Sequence, residues 1–137
     1  MEEEVTFMSD GLKLSAIVHV PDDIKPGERR PAVMVLHGFG SKKISGNCTG
    51  PCKMLTDWGY VTMRFDFRGC GESEGERARL ICLEQVSDTS NALTYLQSRS
   101  DVDPDRIGAL GSSFGAAVAV YTGGVDKRVG AVISSGG

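Results

Sequence analysis

Histidine is scarce in this 137-residue chain: there are two, His19 and His37, and both precede every other candidate catalytic group. Long apolar runs are also missing, so no segment could span a bilayer. The opening MEEEVTF has neither the basic stretch nor the apolar core of a secretory leader, and the expected location is cytoplasmic. The net charge of −3 leaves no basic stripe, which argues against a nucleic-acid partner; Lys42-Lys43 and Arg29-Arg30 read as solvated loop residues. Cys48, Cys52, Cys70 and Cys82 have no secretory context, and a C-x3-C pair without a matching second pair is a poor zinc signature. Four reduced thiols are expected, with no metal and no cofactor.

What the chain does have is concentrated in residues 106–121, RIGALGSSFGAAVAVY. Residues 107–110 are a short apolar run after the turn signal Asp103-Pro104-Asp105, and residues 114–121 are apolar without a breaker. Between them stands Gly111-Ser112-Ser113-Phe114-Gly115, a G-x-S-x-G pattern joining a strand to a helix. In that reversal the positions two before and two after the serine must be small, because backbones pass each other there. The Ser113 hydroxyl is then carried out of the sheet, and the free Phe114 N–H at the helix start becomes an oxyanion donor. A second match, Gly71-Glu72-Ser73-Glu74-Gly75, is followed by Glu76, Arg77 and Arg79 where a small-residue helix would be needed. Only Ser113 has the context of a nucleophile.

In chain order, strand-like runs flank Asp10-Gly11, a hairpin turn, so the chain should open with two antiparallel strands. His19, in the second, reads as a packing or edge residue. A polar loop covers residues 21–31. The continuous apolar run AVMVL, residues 32–36, suits a central parallel strand and runs into His37-Gly38-Phe39-Gly40. Such a turn at the carboxyl end of a strand leaves N–H groups free for an anion, which makes the Phe39 N–H the second oxyanion donor and Gly38 its turn residue. Residues 51–58 should form a short helix with Pro51 in its first turn and Gly59 as its stop. A strand over residues 60–67 leads into the loop DFRGCGES. Leu83, Val86, Leu93 and Leu96 trace one face of a helix over residues 83–97, and Gly123-Gly124 ends the helix after Ser113. A last strand over residues 129–133 completes the order β-β-β-α-β-α-β-α-β, an α/β doubly wound pattern.

With HGFG after one strand, DFRGCGES after the next and GSSFGA at the third, the chain resembles the α/β-hydrolase family along essentially its whole length. It is most similar to the small esterase and peptidase groups: cinnamoyl or feruloyl esterases, dienelactone-hydrolase-like proteins, and acyl-aminoacyl or X-Pro peptidase-like hydrolases. The resemblance implies an α/β-hydrolase fold: a mostly parallel sheet behind an N-terminal antiparallel hairpin. It also implies Ser113 as nucleophile, the Phe39 and Phe114 N–H groups as oxyanion hole, a small-molecule ester, thioester or amide substrate, and the loop from Asp66 to Ser73 near the pocket.

In that family nucleophile, acid and histidine follow in this order, the last two on loops after later strands. Here no histidine follows Ser113, and Asp126 is the only acid after it. A serine hydroxyl is a poor nucleophile until an imidazole takes its proton. Residues 1–137 are therefore expected to be the N-terminal part of a single α/β-hydrolase domain that lacks the last strands, with acid and histidine supplied by a C-terminal half. A non-catalytic half serving as a binding or assembly module is the alternative. Either way the 129–133 strand should present an unpaired apolar edge, inviting that half or a second copy.

Overall fold

The computed structural model describes residues 1–136. These residues form six strands and three helices, alternating from the third strand onward: β1 (Glu2–Ser9), β2 (Leu12–His19), β3 (Arg30–Leu36), α1 (Gly46–Asp57), β4 (Val61–Phe65), α2 (Cys82–Gln97), β5 (Val102–Ser112), α3 (Phe114–Val125) and β6 (Val129–Ser135). They form one sheet in the order β1-β2-β4-β3-β5-β6. The hairpin β1-β2 is antiparallel and joins β4 antiparallel, whereas β4, β3, β5 and β6 run parallel. Asp10 and Gly11 both take positive φ, 50° and 82°, as a two-residue hairpin turn matched to strand twist requires. This is an α/β-hydrolase-like sheet with the expected N-terminal hairpin.

Period-2 alternation divides β3 between two cores. Ala32, Met34 and Leu36 join the larger core with Val86, Leu93 and Leu96 of α2 and Val118 and Ala119 of α3. Val35 and the half-buried Val33 face Cys48, Cys52 and Leu55 of α1 on the other side. Both faces of β3 are covered, which is why AVMVL carries no polar residue. The four carboxyl ends of β3, β4, β5 and β6 share one edge, where the turn after β3, the loop after β4 and the β5–α3 junction emerge.

Three local expectations need correction. Pro51 sits inside α1 rather than in its first turn, because the helix begins at Gly46. Cys48, Cys52 and Leu55 lie on one helical face, and burying that face extends the helix through a residue that cannot donate to the ladder. Leu83 lies off the buried stripe of α2, 58% exposed, while the polar Gln85, Asp88 and Thr89 lie on it. Asp103-Pro104-Asp105 lies within β5 as an irregularity. Val102 is opposite Arg30 and Ile107 opposite Ala32, so the Asp103 carboxylate turns the chain by accepting the Asp105 N–H at 3.0 Å.

Candidate active site

Ser113 stands between the end of β5 and the start of α3 with φ 56° and ψ −125°, a conformation an L-residue adopts only under constraint. The constraint is backbone contact. A Cβ on Gly111 would fall on the Gly115 carbonyl, and one on Gly115 would lie 2.6 Å from the His37 oxygen and 2.7 Å from the Leu36 oxygen. From the other side, the Ser113 N–H donates to the Ser135 carbonyl of β6 at 3.1 Å. The side chain makes no capping bond and is exposed.

The turn after β3 reaches the same point. A Cβ on Gly38 would lie 3.6 Å from that of Ser113, and the rings of Phe39 and Phe114 meet edge to face at 5.5 Å. Phe114 is the first residue of α3, so its N–H has no intrahelical partner. Among the described residues no protein group accepts from the Phe39 or Phe114 N–H.

His37 is fully buried beneath this turn. Its Nε2 accepts the Phe67 N–H at 3.2 Å, so the ring proton is on Nδ1, which donates to the Gly38 carbonyl at 2.7 Å. Burial pushes its pKa below the usual histidine range, in keeping with a neutral ring. The peptide between Gly38 and Phe39 is trans, so its N–H points away from the carbonyl that His37 holds. The imidazole thus turns the Phe39 N–H outward.

No imidazole among the described residues reaches Ser113. His19 pairs with Thr62 at the amino end of β4, on the opposite edge of the sheet, where it accepts from Arg64 Nε at 3.2 Å. Asp126 lies beyond the far end of the 12-residue α3, about 18 Å from the elbow. There the Arg128 guanidinium, 2.7 Å away, holds its carboxyl down at about 2.

Two readings of polar residues change. Lys42 is exposed, but Lys43 is only 3% exposed: its Nζ bridges Asp66 at 2.8 Å and Glu72 at 2.7 Å, while its N–H donates to the other Asp66 oxygen. Arg30 is likewise half-buried, bound to Glu28 and to the Gly59 carbonyl. No local signal distinguishes Lys43 from Lys42, since its burial depends on a carboxylate 23 positions away. Ser73 is fully buried in the loop after β4, remote from solvent and from any role as nucleophile.

A cavity of about 550 Å3 opens beside the turn, lined by Gly40, Lys42, Asp66, Glu72, Arg77 and Leu80 among others. Ser113 is not in its wall. What marks Ser113 is its constrained backbone, with the cavity as adjoining space.

Residues 27–137 match the family described as serine aminopeptidase, S33. The chain is 31% identical over 132 residues to the quorum-quenching protein AidA of Acinetobacter baumannii, covering 96% of this chain and 42% of AidA. It is 32% identical over 142 residues to the thiohydrolase aneE of Aspergillus aculeatus, covering 96% of this chain and 40% of aneE. Its fold superposes on the crystal structure of hypothetical protein PA2218 from Pseudomonas aeruginosa with a TM-score of 0.92 at 29% identity, over 98% of this chain and 42% of that one. The chain thus spans about two fifths of the length of these relatives. No helix among the described residues is long and apolar enough to cross a membrane. By sequence along most of its length, and by a sheet that closes on an elbow between β5 and α3, the chain belongs to the serine aminopeptidase S33 family within the α/β-hydrolase superfamily.

Proposed function

We propose that the whole protein is a serine hydrolase that cleaves small carboxylic esters, thioesters or amides through an acyl-enzyme on Ser113. The observation that carries this reading is the constrained Ser113 backbone, with φ 56° between two glycines that admit no side chain. Ser113 Oγ attacks the acyl carbon as its proton passes to an imidazole from outside residues 1–137. The carbonyl oxygen takes up negative charge facing the Phe39 and Phe114 N–H groups, each such donor contributing about 10²-fold or more to kcat. Collapse breaks the bond to the alcohol, thiol or amine, which leaves with the proton, and water then hydrolyses the acyl-Ser113 ester.

The name of the thiohydrolase aneE supports thioesters among the substrates. The four free cysteines support a reducing, cytoplasmic setting. Treating the whole protein with a fluorophosphonate probe tests the nucleophile: one label at Ser113, lost in Ser113→Ala, is expected. An unlabelled, folded protein would instead favour a binding or assembly module.

A further inference from the structure

The second G-x-S-x-G segment has a structure of its own. Gly71 has φ +49° and its Cα abuts Asp66, so a Cβ there would overlap the Asp66 carboxylate; a Cβ on Gly75 would lie 2.7 Å from the Gly69 nitrogen. The loop can fold back on Asp66 only without those side chains. Folding back brings the Ser73 hydroxyl, fully buried, between two backbones. It accepts the Ser15 N–H of β2 at 2.9 Å and donates to the Asp66 carbonyl at 2.6 Å. The direction is fixed, because a carbonyl cannot donate.

The Asp66 carbonyl and the Phe67 N–H belong to one peptide group, and that N–H is the donor to His37 Nε2. His37 Nδ1–H then meets the Gly38 carbonyl, whose peptide carries the Phe39 N–H. From Ser15 through Ser73, Asp66-Phe67 and His37 to Gly38-Phe39, every hydrogen bond points the same way. Donors and acceptors polarised in series strengthen one another, and the terminal donor of the series is the Phe39 N–H.

We infer that Ser73 is a positioning residue for the oxyanion turn: it holds the Asp66-Phe67 peptide so that the Phe67 N–H selects the Nδ1–H tautomer of His37, which aims the Phe39 N–H. The role in catalysis rests on the reading of Ser113 and Phe39 above; the selection of the tautomer does not. Ser73 touches no substrate and acts through two intervening groups.

The tautomer is read directly by long-range proton–nitrogen spectra of the whole protein labelled with 15N-histidine, the His37 signals being assigned by their loss in His37→Gln. The expected wild-type spectrum has a protonated Nδ1 and an unprotonated Nε2. A protonated Nε2 on a neutral ring, or rapid averaging, would overturn the inference without any variant being made. In Ser73→Ala the signals should move toward averaging. On an activated ester kcat should fall about fivefold, the effect of one net hydrogen bond, with KM unchanged. A purely structural Ser73 would lower the unfolding midpoint while leaving kcat and the tautomer as in wild type, which would also overturn it. If wild type takes no fluorophosphonate, the Ser113 reading fails and the spectra alone decide the role of Ser73.

Discussion

Gly115 packs its Cα against the carbonyl oxygens of His37 and Leu36, closer than any side chain permits. The first turn of α3 is thereby pressed onto the end of β3, and the β5–α3 junction and the turn after β3 become one unit. Gly115→Ala must separate them, since the obstruction is backbone and no rotamer relieves it. The variant is expected to lose about 3 kcal/mol of stability, at the upper end for overpacking, and fluorophosphonate labelling with it. Urea unfolding of the whole protein measures the loss; a change under about 0.5 kcal/mol would mean the contact is not rigid.

Ser113 itself is held at φ 56°, ψ −125°, where an L-residue stores about 1–3 kcal/mol and glycine does not. Ser113→Ala keeps the strain and Ser113→Gly releases it, against an entropic cost of about 0.4–1 kcal/mol for glycine in the unfolded chain. Ser113→Gly should therefore be about 1 kcal/mol more stable than Ser113→Ala, with both variants inert to the probe. Equal midpoints would indicate that the elbow relaxes once the hydroxyl is gone. In contrast, Ser73→Ala should retain turnover within about tenfold of wild type, because its hydroxyl is one net hydrogen bond in the scaffold.

The parts of this site legible in the sequence are those whose cause is local. Asp10-Gly11 at a hairpin, apolar residues 32–36 flowing into HGFG, and glycines flanking Ser113 each follow from sterics within a few residues. The misread parts depend on partners far along the chain. Lys43 reads like Lys42 until Asp66 is brought against it, and Pro51 reads as a helix start until Cys48 and Cys52 need one continuous face. Leu83 leaves the face it was expected to share with Val86, while Asp88 occupies that face because Arg68 and Ser9 hold its carboxylate inward, at 2.8 Å and 2.6 Å.

Acidification should weaken the fold through its two histidines. Burial lowers the pKa of His37, and a proton added at Nε2 would oppose the Phe67 N–H; burial and the Arg64 charge lower His19 in the same direction. In the unfolded chain both titrate near about 6.5. Below that value the unfolded state binds more protons than the folded one, so stability is complete above it and declines as pH falls toward the folded-state values. The urea midpoint should stay level from about pH 8 to about pH 7 and fall below about pH 6.5, with a shallower fall in His37→Gln. A midpoint that rises on acidification through this window would contradict the neutral, buried assignment of His37.

The strand β6 carries the last prediction. It pairs with β5 on one side only, and its outer edge is a row of N–H and C=O groups beside Val132, 38% exposed, and Ile133, 51% exposed. Val120, Tyr121 and Val125 of α3 are exposed as well, so edge and apolar surface occur together. An uncovered edge of that kind pairs with another chain. Residues 1–137 expressed alone should accordingly self-associate, in proportion to concentration, and show no turnover of an activated ester. Placing a lysine on the strand by Ile133→Lys should shift the population toward monomer without creating activity, because a charge at the edge opposes pairing but supplies no base. Sedimentation velocity with a parallel ester assay separates the cases: an isolated wild-type segment that stays monomeric and turns over substrate would mean that Ser113 draws its base from within residues 1–137.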